Sequence, residues 1–142
     1  MTTSLTAQQT RLKQWMTLCS PMYLVAGLVF ALAPGFTMDL VHISSRMVGL
    51  PDTPASTERF WLTLAVSMMM MLTVCCALVA RDVVTMMPVC LVVVVSKFTS
   101  TLLGILYFAM GEHHGALIVI GTTDFPLGVV TLILWLQAKK SV

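Results

Sequence analysis

Two full charges stand where only apolar side chains are expected. Lys97 lies inside VTMMPVCLVVVVSKFTSTLLGILYFAM, and Asp124 lies inside ALIVIGTTDFPLGVVTLILWL. If both segments cross a bilayer as helices, each charge sits far from either interface. Such a placement costs roughly 2.5–3.5 kcal/mol on insertion scales, and it persists where the charge faces a protein interior, a partner charge or water. The chemistry open to the two residues is therefore an ion or proton site, a clasp between helices, or a polar anchor for a ligand.

Their neighbours share helical faces. Gly121, Asp124, Gly128 and Thr131 follow one another at spacings of three, four and three, with Thr123 beside the carboxylate. Pro126 deprives the Thr122 carbonyl of its donor and predicts a kink. On the preceding segment Cys90, Lys97, Thr101 and Gly104 form a matching stripe, with Ser100 alongside. Ser20, Tyr23, Gly27 and Ala31 form a third near the start of the chain. Small and hydroxylated residues suit close helix contacts in lipid, where packing and interhelical hydrogen bonds drive association. The candidate polar site is thus Lys97, Asp124, Thr101, Ser100, Thr123 and Tyr23.

Whether the two charges touch is left open by spacing. Folding the segments about His113 puts Lys97 sixteen residues (113 − 97) and Asp124 eleven residues (124 − 113) from the turn. The five-residue offset is roughly 7 Å along the axis. Side chains also lean toward the N-terminus of their own helix, which widens the gap. A shared polar cavity bridged by water or ligand competes with a direct salt bridge.

Other chemistry is thinly represented. Glu112, His113 and His114, joined by His42, offer a weak metal site, since a structural site needs more ligands in fixed geometry; the blander expectation is a solvated turn, and no metal or other cofactor is expected. Cys19, Cys75, Cys76 and Cys90 all fall within apolar runs without CxxC spacing and read as packing residues. The chain contains no nucleophile–base motif, HExxH or phosphate-cradling glycine loop.

The elements that must position these residues follow from composition. Of 142 residues, 58% are hydrophobic and 10% charged, against about 25% charged in a soluble domain. Mean hydropathy is +0.93. Four apolar blocks, at about 15–33, 60–80, 83–110 and 116–136, each approach or exceed the ~20 residues that cross a bilayer. The expectation is an all-α polytopic membrane protein: a single domain, 1–142, with four transmembrane helices in an antiparallel bundle. The third block, read as one helix, is ~42 Å long and must tilt or project. Residues 1–14 read as a polar lead-in. The first block has a basic start and an Ala31-Leu32-Ala33 ending like a cleavable signal, but it is long enough to span and reads as an anchor.

The loop after the first span carries Phe36, Leu40, Ile43, Met47 and Leu50 at intervals of three to four, with Asp39, His42 and Arg46 on another side. That pattern predicts an amphipathic interfacial helix over about 36–49. A turn-rich stretch follows, with Ser56 or Thr57 as a cap for the second span. With four spans, Arg11, Lys13, Arg81, Lys139 and Lys140 fall on one side, while Arg46, Arg59 and most of the acids fall on the other. The positive-inside rule then puts both termini in the cytoplasm, and the expected location is the inner or plasma membrane of a bacterium. The net charge of +2 gives no reason to expect nucleic acid; the expected partners are membrane lipids, other membrane subunits or further copies of the chain.

Ala33-Pro34-Gly35, the Glu58-Arg59-Phe60-Trp61 start of the second span, Lys97 and Asp124 together resemble the DoxX-like small four-helix membrane proteins. The resemblance extends over most of the chain as an architecture. It implies an auxiliary membrane protein, in some cases linked to quinone or redox partners, although this chain lacks a redox cysteine pair. Together these readings favour a non-catalytic protein, either an accessory subunit or a bundle holding a small apolar ligand or lipid. The alternative is a small homo-oligomeric transporter coupled to protons or ions through Asp124 and Lys97. An enzyme acting on a lipid or quinone comes third.

Overall fold

The computed structural model describes residues 5–52 and 59–141, with backbone alone for residues 59–61. The described chain is all-helical: α1 (Ala7–Leu32), α2 (Pro34–Met47), α3 (Arg59–Arg81), α4 (Cys90–Ala109) and α5 (Gly115–Lys139), with a 3-10 turn at Met87–Val89 leading into α4. Four of these helices, α1, α3, α4 and α5, are long and apolar enough to cross a bilayer. With 14 residues, α2 is too short to do so. The expected cap at Ser56 or Thr57, and Glu58, lie outside the described residues.

Three boundaries differ from the sequence expectation, each for a local reason. First, α1 begins at Ala7 rather than near residue 15, so most of the polar lead-in is helix. A capping box starts it: Thr6 Oγ1 accepts the Gln9 N–H and Gln9 Oε1 accepts the Thr6 N–H. Leu12 and Gln9 are then buried against the bundle. Second, α2 begins at Pro34, whose fixed φ and missing N–H suit a first helical turn.

Third, α4 begins at Cys90 rather than near residue 83. Pro88, which has no N–H to donate, falls in the 3-10 turn before α4, and the preceding residues form a turn in which Asp82 Oδ1 accepts the Thr85 N–H at 3.1 Å. The blocks 60–80 and 83–110, separated in the sequence expectation by Arg81-Asp82 alone, are thus joined by a longer turn. At 20 residues, α4 is about 30 Å long, and the tilt demanded by a ~42 Å helix is no longer required.

The helices associate through small residues and hydroxyls. A Cβ on Gly27 of α1 would lie 2.6 Å from Met70 Cε and 3.1 Å from Met69 Cβ of α3, and Ser20 Oγ donates to the Thr73 carbonyl at 3.1 Å. Between α4 and α5, a Cβ on Gly104 would lie 3.2 Å from the Leu117 carbonyl oxygen. Trp15 Nε1 donates to Thr131 Oγ1 at 3.0 Å, joining α1 to α5. Thr6 and Ser141 hydroxyls meet at 2.9 Å, so the start of α1 and the residues after α5 share one end of the bundle.

That terminal end holds the packed core. Leu12, Met16, Cys19 and Tyr23 of α1 pack with Leu72, Cys76 and Val79 of α3 and with Val83, Met87, Cys90 and Val93 from the turn and α4. Buried residues of α1 recur at 9, 12, 16, 19, 23 and 27, the spacing of a continuous packing seam. At the opposite end, where α2 sits, the buried residues are Gly27, Ser45, Thr101, Gly104 and Gly115; among the described residues no large apolar side chain is buried there. There α2 seats Ser45 against Gly115, so closely that any Cβ on Gly115 would collide with it.

Candidate functional site

Lys97 is among the most deeply buried large side chains in the protein, 1% exposed. Four elements of its surroundings explain how a charge of that length is held. Gly128 of α5 leaves room for its stem, since a Cβ there would stand 3.2 Å from Lys97 Cβ. The Tyr23 ring of α1 lies beneath the ammonium, 4.9 Å from Nζ to the ring centroid, a distance at which the negative face of an aromatic ring attracts a cation. Asp124 Oδ1 accepts from Nζ at 2.8 Å, forming a direct salt bridge. Ser100, one turn along α4, donates to the other carboxylate oxygen, Oδ2.

The direct pair forms because the turn is asymmetric. Measured from the helix ends rather than from His113, Lys97 stands twelve residues before Ala109 (109 − 97) and Asp124 nine residues after Gly115 (124 − 115). The offset falls from five residues to three, roughly 4.5 Å, which a lysine stem bridges. Gly111, with φ +102°, makes the tight reversal that places the ends this way.

The candidates divide on inspection. Lys97, Asp124, Ser100 and Tyr23 come together. Thr101 is buried beside them but donates to the Lys97 carbonyl at 2.8 Å rather than to the carboxylate. Thr123 does not join the site: it is exposed and its hydroxyl donates to the Val119 carbonyl at 2.7 Å. Being adjacent to Asp124 in sequence turns it about 100° away on the helix. A Cβ on Gly121 would likewise meet nothing within 4 Å, so the α5 stripe makes its contacts through Asp124, Gly128 and Thr131.

The Tyr23 hydroxyl is buried and has no hydrogen-bond partner among the described residues. An unsatisfied buried hydroxyl costs about 1–3 kcal/mol. Ser100 has one proton and two acceptors in reach, Asp124 Oδ2 and, at 3.0 Å, the Lys97 carbonyl, so it serves one at a time. Lys97 and Asp124 are each other's ion-pair partner, and the arrangement can join helices or bind an uncharged polar group.

The weak metal candidates do not converge. His113 stacks edge-on against Phe108 with centroids 4.8 Å apart, and His114 leads into α5 with a buried Nδ1 that has no partner. His42 lies close enough to Asp52 to influence it. Among the described residues no group of three or more His, Cys, Asp or Glu is placed to hold a metal ion. Arg46 in the last turn of α2 pairs with Asp52 at 2.6 Å, and its hydrogen bond holds the Asp52 carboxyl below the usual carboxylate range. Both side chains are exposed, so the pair orients the end of α2 and contributes little stability.

One contact escaped sequence reasoning. Trp15 stands at the start of the first apolar block, and its indole N–H is spent on Thr131 across the bundle; the stripe containing Thr131 was the only signal. A cavity of about 620 Å³ opens at the α2 end between Ala31, Leu32 and Pro34 on one side and Leu62, Val66 and Ser67 on the other. None of the Lys97 cluster lines it. No protein-family model matches this chain, and no curated protein or solved structure is significantly similar to it.

Proposed function

We propose that this chain is a non-catalytic integral membrane protein, an antiparallel four-helix bundle that serves as an accessory subunit of a larger membrane assembly or holds a small apolar ligand or lipid. The observation that carries the reading is the closed Lys97–Asp124 pair, in which both intramembrane charges are satisfied within one chain and neither is left to perform catalysis. The concentration of buried apolar side chains at the terminal end supports it as well, because the α2 end, where the described residues bury no large apolar side chain, leaves apolar surface for a partner or ligand to cover. The outward side chains of α2, Phe36, Leu40, Ile43 and Met47, are exposed and fit a helix lying in the outer interface. Arg11, Lys13, Arg81, Lys139 and Lys140 gather at the terminal end, which the positive-inside rule assigns to the cytoplasmic side; the membrane proposed is the inner or plasma membrane of a bacterium. The resemblance to DoxX-like proteins agrees with an auxiliary role. Native mass spectrometry of gently extracted protein tests the reading: a partner chain or a bound apolar molecule at fixed stoichiometry is expected, and bare monomers at every extraction condition would refute it.

A second reading has one observation in its favour. The Asp124 side chain is 15% exposed against 2% for Lys97, so the carboxylate is the member a coupling ion or proton can reach. A homo-oligomeric transporter built on it predicts flux in reconstituted vesicles that Asp124→Asn abolishes. Absence of flux from the intact protein disposes of this reading.

A further inference from the structure

The hydrogen-bonding ledger of the Lys97 site is unequal. Asp124 has one oxygen on Lys97 and the other on Ser100. Among the described residues, Lys97 Nζ has Asp124 as its hydrogen-bond partner, although an ammonium carries three donors. Tyr23, 3% exposed, has its hydroxyl buried without a partner, and that phenol lies within electrostatic reach of Asp124. Donor hydrogens on Tyr23 and Lys97 are therefore unspent at the junction of α1, α4 and α5.

The charge balance narrows what fits. The pair is neutral, so an added anion leaves a net charge in a low-dielectric site, which is costly. A cation meets the Lys97 ammonium and a carboxylate whose two oxygens are already engaged. An uncharged oxygen with lone pairs meets neither obstacle.

We propose that Tyr23 and Lys97 form a recognition point for one uncharged acceptor oxygen, supplied either by a trapped water or by the carbonyl of an ester-bearing lipid reaching down the loosely packed α2 end. The ligand-holding form of the proposed function underlies the lipid source, whereas the water source does not depend on it. The second observation beside the unspent donors is where burial of large apolar side chains stops. On α1 they are buried as far as Tyr23 and on α4 as far as Val94, and beyond that level none is among the described residues. The polar cluster thus lies at the edge of the apolar core.

The chain has two tyrosines, Tyr23 and Tyr107, so Tyr107→Phe leaves Tyr23 as the sole reporter. In full-length protein labelled at the tyrosine Cζ, solid-state NMR reads whether the phenol donates a hydrogen bond. Spectra are compared in hydrated ester-linked phosphatidylcholine vesicles, in hydrated vesicles of the ether-linked analogue, and in a dried film of the latter. A bonded phenol in ester lipid alone supports a lipid carbonyl. A bonded phenol in both hydrated vesicles that is lost on drying supports water. A phenol unbonded in all three states, or bonded even in the dried ether film where both water and ester carbonyls have been removed, overturns the proposal. Failure of the ligand-holding function is read separately, by the absence of any apolar molecule in the native mass spectrum, and leaves the water result standing.

Discussion

Removing one charge of the Lys97–Asp124 pair is expected to destabilise the bundle far more than removing both. At 2.8 Å, Coulomb attraction between unit charges at an effective dielectric of about 20 amounts to about 6 kcal/mol. Desolvating each ion costs several kcal/mol in return. The pair is therefore close to balanced, and its net contribution is small. Breaking it is different, because the surviving charge keeps its desolvation cost and loses its partner, a loss of about 3–5 kcal/mol in buried pairs. Exposure sets the order of the two single variants. Asp124→Asn leaves a lysine whose side chain is 2% exposed, whereas Lys97→Met leaves a carboxylate that is 15% exposed and still bonded to Ser100. Asp124→Asn is expected to cost more than Lys97→Met, and the double variant Lys97→Met/Asp124→Leu is expected to return within about 1–2 kcal/mol of the parent. The assay is reversible unfolding in mixed micelles on all four proteins, with helical circular dichroism as the readout. Additive losses, with the double variant as unstable as the sum of the singles, would show that the two charges are not coupled and that the site described here does not exist in the membrane.

Further outcomes follow from individual contacts. Gly128→Ala places a Cβ 3.2 Å from Lys97 Cβ and is expected to cost about 1–3 kcal/mol by overpacking, while Gly121→Ala, with nothing within 4 Å, is expected to be neutral or slightly stabilising; the same unfolding assay separates them. Thr131→Val removes the acceptor of the Trp15 indole, and a loss of about 0.6 kcal/mol, with an upper limit near 1.7, matches interhelical hydrogen bonds in membranes. The Thr85 N–H bond holds the Asp82 carboxyl below its ordinary value of 3.8. Because this folded-state value is depressed, the bond's contribution is complete above that ordinary value and is lost as pH falls through the lower one. Hydrogen exchange of the Thr85 amide, corrected for its intrinsic rate, should show constant protection from neutral pH down to about 4 and falling protection below it, and Asp82→Ala should abolish the effect. Cysteine-labelling tags at the two chain ends should react from the same side of sealed vesicles, since Thr6 and Ser141 meet at one end of the bundle.

Residues determined much of this protein without any coordinates. Apolar runs of spanning length, broken by Pro34-Gly35 and by Gly111 to Gly115, are local sums of hydropathy and turn preference, so the presence of four apolar helices was legible. So was the polar character of the Lys97 and Asp124 helices, because a charge within an apolar run is visible wherever the helix is placed. Boundaries were less so. A capping box at Thr6 and Gln9 and a proline at position 88 each moved a helix start by several residues, although both signals were present in the chain. What only tertiary structure decided was which polar groups meet. That depends on the offset between α4 and α5, fixed by where Ala109 and Gly115 end their helices, and on the rotation that turns Gly128 toward Lys97 and Thr123 away. Sequence spacing gives the phase of residues within one helix; the phase and height of one helix against another arise from close packing of glycines on side chains, which no single segment contains.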